Sequence, residues 1–215
     1  MNIKLEISRQ WQWIKPITIF LLIPTFLILL LVLYFKLEYD IDTGFLTRDS
    51  NAVAHQPIYI GFVSNLGILF WCASAAIALF TSSLEKNKAS ISVESFLLYS
   101  GILSYILLLD DLFQLHEEVF PNNFNIPEIA VLAVYGSFAL LVFYRFRKII
   151  PSTNFLILLI CSGFFGISIL VDVFHPDFPG ESLVEDGAKF AGVVTWFGYY
   201  TSVSFDNLKK KLTSR

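Results

Sequence analysis

Apolar residues fall into six long runs broken by shorter polar stretches: Pro16 to Phe35, Ile58 to Phe80, Ser95 to Phe113, Pro127 to Phe146, Phe155 to Phe174 and Leu183 to Phe205. Each is close to the roughly 20 residues that an α-helix needs to cross the hydrocarbon core of a bilayer. The pattern predicts an all-α polytopic membrane protein, a single bundle of six transmembrane helices over residues 1–215. The first run lacks a small-residue cleavage site and is expected to be a retained helix. Helix punctuation fits: Asn125-Ile126-Pro127-Glu128 and Ser182-Leu183-Val184-Glu185 read as capping boxes, and His175-Pro176 with Pro179-Gly180 breaks the fifth run from the sixth.

Composition sharpens this reading. Of the 215 residues 55% are hydrophobic and 15% charged, and the mean hydropathy is +0.65, more apolar and less charged than a soluble domain. The 22 Phe, 9 Tyr and 4 Trp suit a surface facing acyl chains. The net charge of -3 says little, because the charges are segregated. Lys4, Arg9 and Lys15 precede the first run, Lys86 and Lys88 follow the second, Arg145, Arg147 and Lys148 follow the fourth, and Lys209, Lys210, Lys211 and Arg215 follow the sixth. That one-sided distribution places both termini in the cytoplasm, for a multi-pass protein of the cell membrane in contact with the lipid bilayer. His55, His116 and His175 then all lie on the extracytoplasmic side.

Motifs of soluble enzymes are missing. There is no glycine-rich nucleotide loop, nucleophile elbow or HExxH, and no nucleic acid is expected as a partner. Cys72 and Cys161 both sit inside apolar runs and read neither as a disulfide framework nor as a CxxC metal motif.

The unusual chemistry is LLLDDLFQLHEEVFP, Leu107 to Pro121, at the outer end of the third run. At about 100° per residue, a continuous helix puts Asp110, Asp111, Gln114, Glu117 and Glu118 on one face, with Ser104 beside it and His116 turned away. Glu117 and Glu118 suit the interface. An ionised Asp110 or Asp111 at the hydrocarbon edge costs on the order of 2.5 to 3.5 kcal/mol, so both are expected to face protein. The fifth run carries Cys161, Ser168, Asp172 and His175 on one arc, ending at the same depth. The sixth carries Glu185, Lys189, Gly192, Trp196 and Tyr199 on one face with Asp186 about 100° away, and Asn65 of the second run lies at similar depth.

Three functions fit this constellation. In a membrane-embedded hydrolase or lipid-modifying enzyme, Asp172, His175 and His116 would hold a divalent metal such as zinc, manganese or iron. Asp110, Asp111 and Lys189 would be catalytic, as ligand or general base and as a cation facing developing negative charge, and Gln114, Ser104, Glu185, Asp186 and Asn65 would complete the polar site. In a cation or proton channel or transporter, the outer carboxylates would form a cation-attracting mouth, although the inner half offers only hydroxyls and Cys161. In a non-catalytic assembly subunit, partnered with itself or another membrane protein, the charges would pair to specify helix packing. All three expect acids, imidazole and ammonium from separate helices to meet near the extracytoplasmic surface.

Overall fold

A computed structural model of the chain describes residues 3–84, 89–174, 176 and 178–213, and every regular element among them is helical. Five helices among the described residues are long and apolar enough to cross a membrane: Ile14–Tyr39, the greater part of α1 (Ile3–Tyr39); α4 (Phe62–Ser83); α5 (Val93–Phe113); α7 (Glu128–Arg145); and α8 (Phe155–Phe174). Their boundaries lie within a few residues of the predicted runs. Short helices α2 (Thr43–Thr47), α3 (Ser50–Val53) and α6 (Phe120–Phe124) occupy the connections. In lipid, helices satisfy their own backbone groups, and the molecule is built accordingly, as an all-α membrane protein.

The sixth predicted run lies inside α9 (Glu181–Thr213), a 33-residue helix that falls outside the apolar class. Glu185, Asp186, Lys189 and a series of hydroxyls dilute its apolar character. Many of its side chains turn inward instead: Ala188, Gly192, Val193, Trp196, Tyr199, Tyr200, Val203 and Ser204 are buried.

The chain divides into two compact units, Met1–Ile60 and Gly61–Arg215. In the first, no residue in the apolar window of α1 is buried, as expected of a helix whose every face is apolar and meets lipid. Lys36 Nζ pairs with Asp40 at 2.7 Å one turn on, and the short helices are capped by Asp42 and Asp49, whose carboxylates accept from the amides of Gly44 and Ala52.

In the second unit α9 packs against both α4 and α8, α4 packs against α5, and α7 lies against the other side of α5. Two glycines permit the closest approaches. A Cβ on Gly101 would stand 2.8 Å from Leu79, and one on Gly192 would stand 2.9 Å from the Phe165 ring, so small residues admit the neighbouring helix as membrane packing requires. Aromatic rings fill the centre: Trp71 stacks on Phe165 at 5.9 Å and meets Trp196 edge-on at 5.6 Å. At the Lys/Arg-rich end Ser92 caps α5 through the Ser95 amide, and Glu94 pairs with Lys211 at 2.9 Å, tying the start of α5 to the end of α9.

Neither predicted capping box forms. Asn125 adopts a left-handed conformation that closes α6, and Pro127, which has no capping side chain, precedes α7. Proline keeps the residue before it out of the α region, so the chain cannot enter the helix as a capping box would. Ser182 falls inside the first turn of α9, which begins at Glu181 directly after Gly180 with φ +92°.

Candidate functional site

The Asp110–Asp111 end of α5 is where the predicted continuous helix fails, and the failure builds the site. The α-helix stops at Phe113; Gln114 takes φ 51°, and Leu115–Val119 forms a π-helical turn. A left-handed non-glycine residue carries strain of about 1–2 kcal/mol, and isolated π turns occur frequently at functional positions. The break reverses the expected direction of His116. It is buried, and it folds back over Asp110.

Asp110 is 3% exposed and its two oxygens are fully engaged. Oδ1 accepts the His116 backbone N–H at 3.1 Å and the Tyr135 hydroxyl of α7 at 2.9 Å. Oδ2 accepts from His116 Nδ1 in a short contact. A carboxylate partner fixes the proton on Nδ1 and leaves Nε2 for exchange. Nε2 faces the half-exposed carboxylates of Glu117 at 3.4 Å and Glu128 at 3.9 Å. The hydrogen bond to Asp110 raises the affinity of this imidazole for its proton above the ordinary histidine value, helped by Glu117 and opposed by burial and by Lys189.

Asp111 turns the other way. Its Oδ1 lies 3.0 Å from Lys189 Nζ on α9, and its Oδ2 accepts the Trp71 indole N–H of α4 at 2.8 Å. The Lys189 side chain is 41% exposed, and with three N–H donors it retains capacity for a second acceptor. The two aspartates therefore anchor four helices at one end of the bundle: α7 through Tyr135, α4 through Trp71, α9 through Lys189, and α5 itself. Carboxylates at a helix C-terminus oppose the partial negative charge there, which is why each needs donors from outside its own helix.

Of the residues expected at this site, Asp110, Asp111, His116 and Lys189 come together. Ser104 belongs to the same α5–α9 seam one layer inward, accepting the Trp196 indole N–H at 2.8 Å. Asp172 makes no hydrogen bond or ion pair with the cluster, and His175 lies outside the described residues. Gln114 is exposed and serves as the left-handed cap of α5. Asn65 is exposed near the start of α4, Asp186 is exposed, and Glu185 is half-buried near the start of α9. No group of three or more His, Cys, Asp and Glu among the described residues is arranged to hold a metal ion. Among the described residues the cluster draws on α4, α5, α7 and α9.

The sequence points to neither Tyr135 nor Glu128 as members of this site, and to Trp71 only weakly. Trp71 lies inside an apolar helix, where an indole N–H seeks an acceptor, and that is the one usable signal. Tyr135 looks like any membrane aromatic, and the recruitment of Glu128 depends on the turn at Gln114.

The fold and this cluster define an all-helical membrane protein with a partnered polar centre at one end of its bundle. Residues 21–203 match the family described as Domain of unknown function (DUF8692), and the chain belongs to that family. No curated protein and no solved structure matches it.

Proposed function

We propose that the chain is a six-span protein of the cell membrane with both termini in the cytoplasm, α9 supplying the sixth span, and that it hydrolyses or otherwise modifies a lipid at the extracytoplasmic surface. The spans and orientation rest on the Lys and Arg distribution, which puts Asp110, Asp111 and His116 at the outer boundary.

One observation carries the chemistry: His116 Nδ1 is held by a buried carboxylate while Nε2 faces the half-exposed carboxylates of Glu117 and Glu128. That is the arrangement of an oriented acid–base imidazole. In hydrolysis of an ester, Nε2 would take a proton from the attacking water, whose oxygen bonds the carbonyl or phosphoryl centre. It would return that proton to the departing alcohol oxygen. Asp110, itself fixed by the Tyr135 hydroxyl, holds the ring, and Lys189 offers a positive charge to the oxygen that becomes negative. Because both Asp110 oxygens already serve protein donors, Asp110 suits an orienting role better than the role of ligand or general base.

A second reading, a non-catalytic assembly subunit, is favoured by the completeness of the Asp110 and Asp111 pairing, since intramembrane charges commonly pair to fix packing. Reconstitution separates the two. The full chain in liposomes of mixed phospholipids and sphingolipids is assayed by mass spectrometry for released headgroups or acyl chains, beside His116→Gln. Lipid conversion that is lost in His116→Gln while the substituted chain remains folded supports the enzyme. Conversion absent from pH 5 to 9, or indifferent to His116→Gln, removes it.

A further inference from the structure

Cations gather at the other end of α5 from Asp110 and Asp111, where α7 and α9 end. Two contacts bring them together there. An Arg145 guanidinium N–H donates to the Ser90 carbonyl at 3.2 Å, and Lys211 pairs with Glu94 at 2.9 Å. The ends of α7 and α9 thus meet the same short stretch at the start of α5. The connection carrying Arg147 and Lys148 is held to α9 by Asn154, whose amide donates to Asp206 at 3.1 Å.

Among the described residues, six basic side chains stand here against two acids, Glu94 and Asp206. Glu94 is taken up by Lys211 and accepts the Asn207 amide at 3.3 Å. Arg145 and Arg147 donate to the main-chain carbonyls of Ser90 and Tyr144, and the Arg147 guanidinium lies 4.1 Å over the Tyr144 ring. Such contacts orient a guanidinium without cancelling its charge. Lys148, Lys209 and Lys210 are exposed, and no described acid lies within ion-pair distance of them. Five cations at one end of the bundle therefore lack an acid partner, whereas Lys36, in the other unit, has Asp40.

We infer that this end of the bundle is a binding surface for the phosphate headgroups of anionic lipids. The neighbouring side chains favour a lipid over a soluble acidic partner. Leu141 and Tyr144 of α7 and Phe205 of α9 are each about two-thirds exposed, and in a helix that meets lipid such side chains lie among the acyl chains. Arg145, Arg147, Lys148, Lys209 and Lys210 follow them by about one turn, at the level of the headgroups. Guanidinium presents paired N–H donors that match phosphate oxygens, and clustered ammonium groups beside a spanning helix attract the anionic leaflet. The inference stands apart from the proposed lipid chemistry, which involves the opposite end of α5.

Electron paramagnetic resonance of the full chain in phosphatidylcholine bilayers tests this, with spin-labelled phosphatidylglycerol and spin-labelled phosphatidylcholine of identical acyl chains as probes. The fraction of each probe immobilised at the protein surface is measured. Phosphatidylglycerol is expected to be selected several-fold over phosphatidylcholine, and the selection to fall in Lys209→Gln/Lys210→Gln and in Arg147→Gln/Lys148→Gln. Either double substitution gives the reading should the other fail to fold. Lys36→Gln, which removes a cation that already has an acid, is expected to leave the selection unchanged. Equal immobilisation of the two probes overturns the inference. So does a selection unmoved by a folded double variant, or one lowered as much by Lys36→Gln.

Discussion

Asp110 and Asp111 are neighbours in sequence with opposite surroundings. The Asp110 side is closed: a buried carboxylate, an imidazole brought back by a π-helical turn and a phenol, with three donors converging on two oxygens. The Asp111 side is open: its ammonium partner is 41% exposed, and an indole supplies the second bond. Two identical side chains 100° apart on one helix thus do different work, because burial decides how much a charge depends on its partners.

The contrast predicts unequal losses. Asp110→Ala strands His116 Nδ1, the His116 amide and the Tyr135 hydroxyl together, and removing one member of a buried pair typically costs about 3–5 kcal/mol. Thermal unfolding of the purified chain should show the largest drop for this substitution, and a loss no greater than that of Lys189→Met would mean that the closed side is solvated. Lys189→Met leaves Asp111 with its indole bond and removes a solvent-screened partner, so its cost is near 1 kcal/mol. The same Lys189→Met protein should lose lipid turnover far more than stability if the ammonium faces a developing charge.

Asp111→Asn falls between kinds. An amide oxygen still accepts from Trp71, and what is lost is attraction to Lys189. A melting temperature close to that of Lys189→Met, with the double substitution no worse than either alone, is the expected outcome of a double-mutant cycle. Additive losses would show that the two groups do not act as a pair.

The sequence carried much of this, and its failures have physical causes. The apolar runs located the helices because spanning length is set by the bilayer, which acts on every segment alike. The Asp110–Asp111 pair and Lys189 stood out because charge in an apolar run is costly. His116 was placed on the wrong side because the wheel assumed unbroken 3.6-residue periodicity, and Gln114 gives no warning of a left-handed break in the way glycine or asparagine would. Asp172 shared a depth with the cluster, but depth fixes one coordinate and helix rotation fixes the other. That rotation is set by packing contacts such as Gly192 against Phe165, which no single-sequence period reveals.

The closed side should also announce itself through pH. The imidazole of His116 holds its proton more tightly in the folded protein than the ordinary value of 6.5 because Asp110 accepts from Nδ1. A group whose folded pKa is raised stabilises the fold fully below its unfolded value, and that contribution disappears as pH climbs through the folded value. The melting temperature of the wild type relative to His116→Gln should therefore be highest below about pH 6.5 and decline above it. Glu128 refines the effect. It faces Nε2 at 3.9 Å and is half-exposed, so Glu128→Gln should change stability by only a few tenths of a kcal/mol. If its carboxylate acts on Nε2 across that distance, Glu128→Gln should still shift the decline to lower pH. A decline unmoved by Glu128→Gln would leave Asp110 and Glu117 as the carboxylates that hold the proton, and would place Glu128 with the solvent.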